Sequence, residues 1–220
     1  MTFSADAWIR NIQLFETMCN MPFNKELANG RLRQETFKYY ILQDSHYLIS
    51  LSRTLAIVAA KAENTDEIVQ FLEASKSAIL LEYSLHKIFL KELKINENEV
   101  SDIPISSACH HYSHFLISTA FSASYPIIIA ALLPCFWIYS EIGLHIYKNA
   151  KKTNPYMKWI KTYAGKEFQL IVKFIIQIID KIGKNCDKST INQMHAAYND
   201  SMKLEWIFWN SAYNHESWNI

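Results

Sequence analysis

Three polar side chains lie where helical spacing would place apolar ones, and each is of a type that can do chemistry. Asp44 falls on an apolar helix face, Cys135 follows a proline, and Glu205 stands among aromatic residues. Burying an unpaired charge is costly, so a carboxylate at such a position either has a partner or serves a function. The three residues are therefore candidates for acid–base and nucleophilic chemistry.

Asp44 and Tyr47 are three residues apart, so both side chains leave the same face of a helix. Their neighbours on that face are apolar or aromatic: Tyr40, Ile41, Leu48 and Leu51. We expect the carboxylate to face an internal cavity. The alternative is a structural pair with a buried lysine, arginine or tyrosine, and the residues alone leave both interpretations open.

Cys135 lies in a strongly apolar stretch directly after Pro134. Proline inside a helix removes one backbone donor and clashes with the carbonyl four residues back, so a kink and a free carbonyl are predicted beside the thiol. Tyr139 follows one turn later. A nucleophilic cysteine needs a neighbour that holds it as thiolate. Without one, Cys135 is an inert residue that packs as a small hydrophobe.

Glu205 is followed closely by Trp206, Phe208 and Trp209. A glutamate among aromatic side chains loses water, which raises its pKa and lets it hold a proton near neutrality. The alternative is a glutamate on the exposed edge of an aromatic stripe.

Metal-binding patterns are weak in this chain. Two glutamate–histidine pairs are spaced four residues apart, Glu82 with His86 and Glu141 with His145. Di-iron bundles use a spacing of three. The cluster of His110, His111 and His114 has no cysteine or carboxylate at ligand spacing. We therefore expect neither a metal nor another cofactor.

The composition narrows the fold. Half of the 220 residues are apolar and a fifth are charged, which suits one globular domain. Only four glycines occur, too few for β-sandwich hairpins or a glycine-rich nucleotide loop. The net charge of +1 indicates neither a nucleic-acid nor a membrane partner. The four cysteines have no paired spacing and are expected to be free thiols in a reducing compartment.

Apolar residues recur at helical spacing nearly throughout the chain. Helices are predicted over residues 4–19, 34–62, 64–93 and 106–122, and a further helix begins at residues 124–126. One helix or two are predicted between residues 154 and 183. A last helix, capped by Ser189 or Thr190, is predicted to end near residue 213. A polar loop is predicted at residues 94–104. The stretch 126–139 is too short to span a bilayer, and no signal peptide is apparent, so a cytoplasmic protein is expected. We predict one all-α domain over residues 1–220; two lobes joined near Glu97 are the weaker alternative.

Four segments taken in order resemble the TenA family, also called thiaminase II or aminopyrimidine aminohydrolase. They are residues 37–44 with 47–48, residues 133–143, residues 154–164 with 167–168, and residues 205–213. The resemblance implies a helical bundle of the haem-oxygenase-like type that binds no haem and assembles as a homotetramer. It also implies a small-molecule pyrimidine substrate, thiamin or its aminomethylpyrimidine breakdown product, hydrolysed to hydroxymethylpyrimidine for thiamin salvage.

The same resemblance implies roles for individual residues. Cys135 is the nucleophile, which places the chain in the cysteine-containing branch of the family, and Glu205 is the proton donor. Tyr47 supports the reactivity of the cysteine, and Asp44 hydrogen-bonds the aminopyrimidine ring. The aromatic residues implied at the substrate are Tyr112, Tyr139, Tyr163 and, by its place in the motif, Trp137.

Two other functions remain as alternatives. One is a helical pyrimidine-binding or regulatory protein that has lost catalysis. The other is a metal-dependent oxygenase on the same fold, although related two-metal proteins carry a histidine in the segment corresponding to residues 167–173, which has none here. Within the motifs, Gly143 and Gly165 are expected to permit close helix packing behind the pocket.

Overall fold

The computed structural model describes residues 1–92 and 104–218, with side chains for residues 1–80 and 104–218. All regular structure in these ranges is helical, which confirms the predicted all-α fold. The helices are α1 (Phe3–Asn20), α2 (Pro22–Ala28), α3 (Gln34–Lys61), α4 (Thr65–Glu92), α5 (Ser107–Ser122), α6 (Tyr125–Asn149), α7 (Met157–Ala164), α8 (Lys166–Gly183) and α9 (Lys188–Asn214). The loop predicted at residues 94–104 lies, except for its last residue, outside the described residues.

Polar side chains cap the amino-terminal ends of four helices, α1, α4, α5 and α9. Asn64 accepts hydrogen bonds from the backbone N–H groups of Asp66 (2.8 Å) and Glu67 (3.3 Å) at the start of α4. Ser106 caps α5 in the same way. For α9 the predicted cap was wrong. The N–H of Thr190 donates to the Asp187 carboxylate at 2.7 Å, so a carboxylate two residues earlier than Ser189 fills this role.

Helix α2 was not predicted, because seven residues are too few to show a clear helical period. Pro22 stands in its first turn, where a missing N–H costs nothing. Its carboxyl end is held by Asn154, whose amide donates to the carbonyls of Leu27 (2.8 Å) and Ala28 (3.0 Å). Gly30 follows in the left-handed region, with φ of 68°.

The chain divides into two compact units, each built from two separate stretches. The first unit comprises Met1–Leu32 and Pro126–Trp206, and the second comprises Arg33–Tyr125 and Ile207–Ile220. In the first unit α1 packs against α2 and α8, and α7 packs against α8. In the second unit α3 packs against α4 and α5. Helix α9 contributes to the first unit up to Trp206 and to the second from Ile207.

Helix α6 carries the most apolar stretch of the chain. It runs on through Ser140 and Glu141 to a length of 25 residues, so the helix, unlike the stretch at residues 126–139, is long enough to cross a membrane by length and composition alone. In its most apolar window, however, 78% is buried inside the protein. Such burial is typical of a core helix, whose apolar side chains contact other parts of the fold.

Candidate functional site

Cys135 and Tyr139 lie one turn apart on α6, in the first unit, and both are buried. Cys135 is 6% exposed and forms no disulfide. Pro134 precedes it, and the helix continues through this proline. The structure therefore places the thiol inside the protein, on the helix that also carries Tyr139.

Aromatic rings from α6 and α7 meet in the same unit. The centroids of the Tyr139 and Tyr163 rings are 4.9 Å apart, and Trp159 packs on Tyr163 at 4.7 Å. Phe168, at the start of α8, meets Tyr163 edge-on at 5.2 Å. The two tyrosines predicted to contact the substrate are thus brought together.

Gly143 allows this approach of α6 to α7, as expected from the sequence. A Cβ atom at Gly143 would lie 2.9 Å from both the carbonyl carbon and the Cβ of Tyr163. Gly165 has a different role from the one expected. It separates α7 from α8, and a Cβ there would meet the Lys161 carbonyl of its own chain segment at 2.9 Å.

Replacing Gly143 with alanine is expected to destabilise the protein. Alanine in a helix interior normally stabilises by about 1 kcal/mol relative to glycine. Here the new methyl group would meet backbone atoms, which cannot rotate away, and such overpacking costs about 1–3 kcal/mol. We expect a net loss of about 1 kcal/mol in the free energy of unfolding, measured by urea denaturation. An increase in that free energy would contradict close packing at this position.

Glu205 lies on α9 within the first unit and is 1% exposed. This burial excludes the alternative in which Glu205 stands on an exposed edge. Ser201 and Trp209, one turn before and one turn after it, are also buried. The carboxyl is therefore removed from bulk water.

Asp44, in the second unit, is 3% exposed on α3. Burial raises the pKa of this carboxyl from 3.8 to about 7. A neighbouring lysine or arginine would lower the pKa instead. Within the described part of the chain, this argues against a pair of Asp44 with lysine or arginine, while the pair with a buried tyrosine stays untested.

An aromatic stack in the second unit includes Tyr47, which follows Asp44 by three residues on α3. The rings of Tyr47 on α3 and Tyr112 on α5 are stacked with centroids 5.0 Å apart. Phe208 of α9 packs on Tyr47 at 5.7 Å. Sequence reasoning counted Phe208 only as a neighbour of Glu205. Its position three residues later, in the same motif, is the signal that could have added it to the candidate site.

The pH dependence of stability tests the burial of Asp44. In the unfolded chain an aspartate titrates at about pH 3.9. Between that pH and about 7, Asp44 of the native protein therefore keeps a proton that the unfolded chain has released. Stability from this group is fully present below about pH 4 and is lost as the pH rises to about 7. The loss reaches at most about 4 kcal/mol, at about 1.4 kcal/mol per pKa unit.

Asp44→Asn is therefore expected to be more stable than the wild type above pH 7, with a smaller difference at pH 4, in urea denaturation. The matched control is Asp200→Asn, which alters an exposed carboxylate paired with Lys203. A wild-type stability that does not fall between pH 4 and pH 7 relative to Asp44→Asn would contradict the raised pKa.

Trp137 lies on a different side of α6 from Tyr139. Its half-buried ring stacks on Trp8 of α1 with centroids 4.5 Å apart, and its Nε1 donates to the Glu141 carboxylate at 3.3 Å. The structure thus brings Trp137 to α1. A role at the substrate remains a prediction for this residue.

Two of the clustered histidines, His110 and His114, contact each other on α5. The ring nitrogen Nδ1 of His114 lies 2.8 Å from the His110 carbonyl oxygen, and the two rings stack. The side chains of Glu82 and His86 lie outside the described residues. Where side chains are described, no three histidine, cysteine, aspartate or glutamate residues are grouped closely enough to hold a metal ion.

These features define an all-α protein with a buried thiol, two buried carboxyl groups and two pairs of packed tyrosines. A structure from Shewanella denitrificans OS217 described as having a heme oxygenase-like fold aligns with a TM-score of 0.75 at 11% identity. The alignment covers 96% of this chain and 92% of that one, so the haem-oxygenase-like fold is confirmed. The model of the TENA/THI-4/PQQC family matches residues 9–215, and the chain belongs to this family.

Relatives of this chain resemble it over almost its whole length. An aminopyrimidine aminohydrolase from Halalkalibacterium halodurans is 28% identical, with 100% of this chain and 99% of the relative covered. An aminopyrimidine aminohydrolase from Bacillus subtilis is 29% identical, with 99% of this chain and 92% of the relative covered. The structure of a TenA homologue from P. horikoshii OT3 aligns with a TM-score of 0.88 at 28% identity, covering 97% of this chain and 99% of that one.

Proposed function

We propose that this protein is an aminopyrimidine aminohydrolase. It acts on thiamin or on its aminomethylpyrimidine breakdown product and yields hydroxymethylpyrimidine for thiamin salvage. The observation that carries the proposal is the full-length similarity to two proteins named for this activity. The buried thiol of Cys135 and the buried carboxyl of Glu205 supply the reacting groups, and the buried carboxyl of Asp44 binds the substrate.

The proposed reaction begins when the Cys135 thiolate adds to an electrophilic carbon of the pyrimidine ring. A new C–S bond forms, aromaticity is lost, and electrons move toward the exocyclic methylene, which releases its amine or thiazole. Glu205 donates a proton to the ring or to the departing amine. Water then adds to the methylene carbon, and expulsion of the thiolate restores the aromatic ring. In this scheme Tyr47 supports the reactivity of Cys135.

The remaining residues hold the substrate. Asp44 accepts a hydrogen bond from the aminopyrimidine, and Tyr112, Tyr139 and Tyr163 contact the ring and exclude water. By its place in the same motif as Cys135 and Tyr139, Trp137 is also proposed to lie next to the substrate pocket. We further propose that residues 1–220 function as one domain in a soluble, cytoplasmic homotetramer. The family match, which includes residues of both compact units, supports the single domain.

A product assay tests this function. Purified protein is incubated separately with thiamin and with the aminomethylpyrimidine, and hydroxymethylpyrimidine is measured by chromatography. We expect release from at least one of them. Binding of both compounds without any release would support the alternative of a pyrimidine-binding protein and would overturn the enzymatic proposal.

A further inference from the structure

Gln43 is buried, 2% exposed, at the junction between α3 and the start of α5. Its amide Nε2 donates to the Pro104 carbonyl at 3.1 Å, and its Oε1 accepts from the Ser106 N–H at 2.8 Å. A side-chain amide offers both a donor and an acceptor, and here each is used. A single side chain thus fixes the backbone that enters α5.

Further hydrogen bonds reinforce the same junction. The Cys109 thiol donates to the backbone carbonyl of Gln43 at 3.2 Å, and the Cys109 N–H donates to the Ser106 hydroxyl at 3.1 Å. From another direction, Trp218 Nε1 donates to the Ile105 carbonyl at 2.9 Å. Residues 104–106 are therefore held at three consecutive backbone positions.

This junction stands one helical turn before the aromatic stack on both helices. Gln43 precedes Tyr47 by four residues on α3, and Cys109 precedes Tyr112 by three on α5. The rings of Tyr47 and Tyr112 are stacked at 5.0 Å. Residues one turn apart on a helix share a face. The register that Gln43 fixes is therefore the register in which Tyr112 meets Tyr47.

We propose that Gln43 is a positioning residue, which holds α5 against α3 so that Tyr112 and the adjacent Asp44 are oriented for the pyrimidine ring. The kinetic part of this inference rests on the proposed function. The structural part stands on the hydrogen bonds alone. Gln43 does not touch the reacting atoms in this view, so its loss weakens substrate binding more than the chemical step.

Two variants of Gln43 and one control separate these effects. Gln43→Leu removes both side-chain hydrogen bonds at similar volume. Gln43→Glu, with its carboxyl ionised, keeps the acceptor for the Ser106 N–H and loses the donor to Pro104. The control, Ser52→Ala, removes the 3.2 Å contact between Ser52 and Ser75 that joins α3 to α4 in the same unit.

The readouts are steady-state kinetics with the aminomethylpyrimidine and amide hydrogen exchange over residues 104–116. For Gln43→Leu we expect KM to rise about tenfold, kcat to change less than about threefold, and exchange in this segment to accelerate about tenfold, as loss of two hydrogen bonds implies. For Gln43→Glu, both KM and the exchange rate should lie between those of Gln43→Leu and the wild type. Ser52→Ala should leave KM and this exchange unchanged.

If Gln43→Leu exchanges faster but has the KM of the control, the positioning role is wrong. If its exchange is unchanged, Gln43 does not hold residues 104–106 in place. If Gln43→Leu does not fold, Gln43→Glu decides by the same measurements. If the wild-type chain releases no product, the proposed function fails separately, and exchange still decides whether Gln43 holds α5.

Discussion

Cys135→Ala is expected to lower kcat by at least about 10³-fold, because removal of a covalent nucleophile leaves no alternative route of comparable rate. The methyl group of alanine occupies less space than the thiol at this buried position. Far-ultraviolet circular dichroism should therefore remain that of the wild type. Binding of hydroxymethylpyrimidine, measured by calorimetry, should also persist.

The control for this variant is Cys186→Ala, which makes the same chemical change at a half-exposed thiol in the first unit. It should retain full activity. The rate of alkylation by iodoacetamide at neutral pH adds a second measurement, since only a thiolate reacts quickly. Wild-type turnover in Cys135→Ala would contradict the covalent mechanism. Slow alkylation of Cys135 that does not depend on substrate would favour a binding protein.

Glu205→Gln is expected to lower kcat by about 10²–10⁴-fold, the usual contribution of a general acid. Glutamine has nearly the same shape and cannot donate a proton as a carboxylic acid does. Thiamin and the aminomethylpyrimidine should respond differently. The departing amine requires a proton, whereas the thiazolium leaves as a neutral thiazole. If Glu205 protonates the leaving group, the loss is larger for the amine; if it protonates the ring, both substrates lose equally.

Glu16→Gln, at an exposed position of α1, is the matched control for this substitution and should leave kcat unchanged. The kinetics are measured at saturating substrate, so that an effect on binding does not enter kcat. Activity within a few fold of the wild type in Glu205→Gln would remove this residue from the mechanism.

Local chemistry predicted every described helix except α2, and it indicated that Asp44, Cys135 and Glu205 lie on inward faces. Asn64 and Ser106 begin helices because their side chains accept hydrogen bonds from N–H groups two or three residues later, a relation within reach of sequence alone. Polar residues inside apolar helix faces marked Asp44, Cys135 and Glu205, and all three are buried. These conclusions require only the helical period.

The contacts that side chains make with other helices could not be predicted in the same way. Trp137 belongs to the motif of Cys135, yet its ring lies against Trp8, from a helix more than a hundred residues away in sequence. Ile12 shares the apolar spacing of α1 but is exposed. In the sequence Gln43 is an ordinary polar residue, and only the fold shows that it hydrogen-bonds residues 104 and 106. Each of these contacts depends on the face that a second helix presents, which no single helical period encodes.

The division of the chain into interleaved stretches has a consequence for synthesis on the ribosome. The first unit joins residues before 33 to residues after 125, and the second closes only with residues after 206. Neither unit is complete until α9 has been made, because this helix supplies residues to both. Closing such long separations costs chain entropy and slows folding. The nascent protein therefore carries the apolar α6 before α7, whose Tyr163 meets Tyr139 of α6, has been made, and apolar surface exposed during synthesis is prone to aggregation.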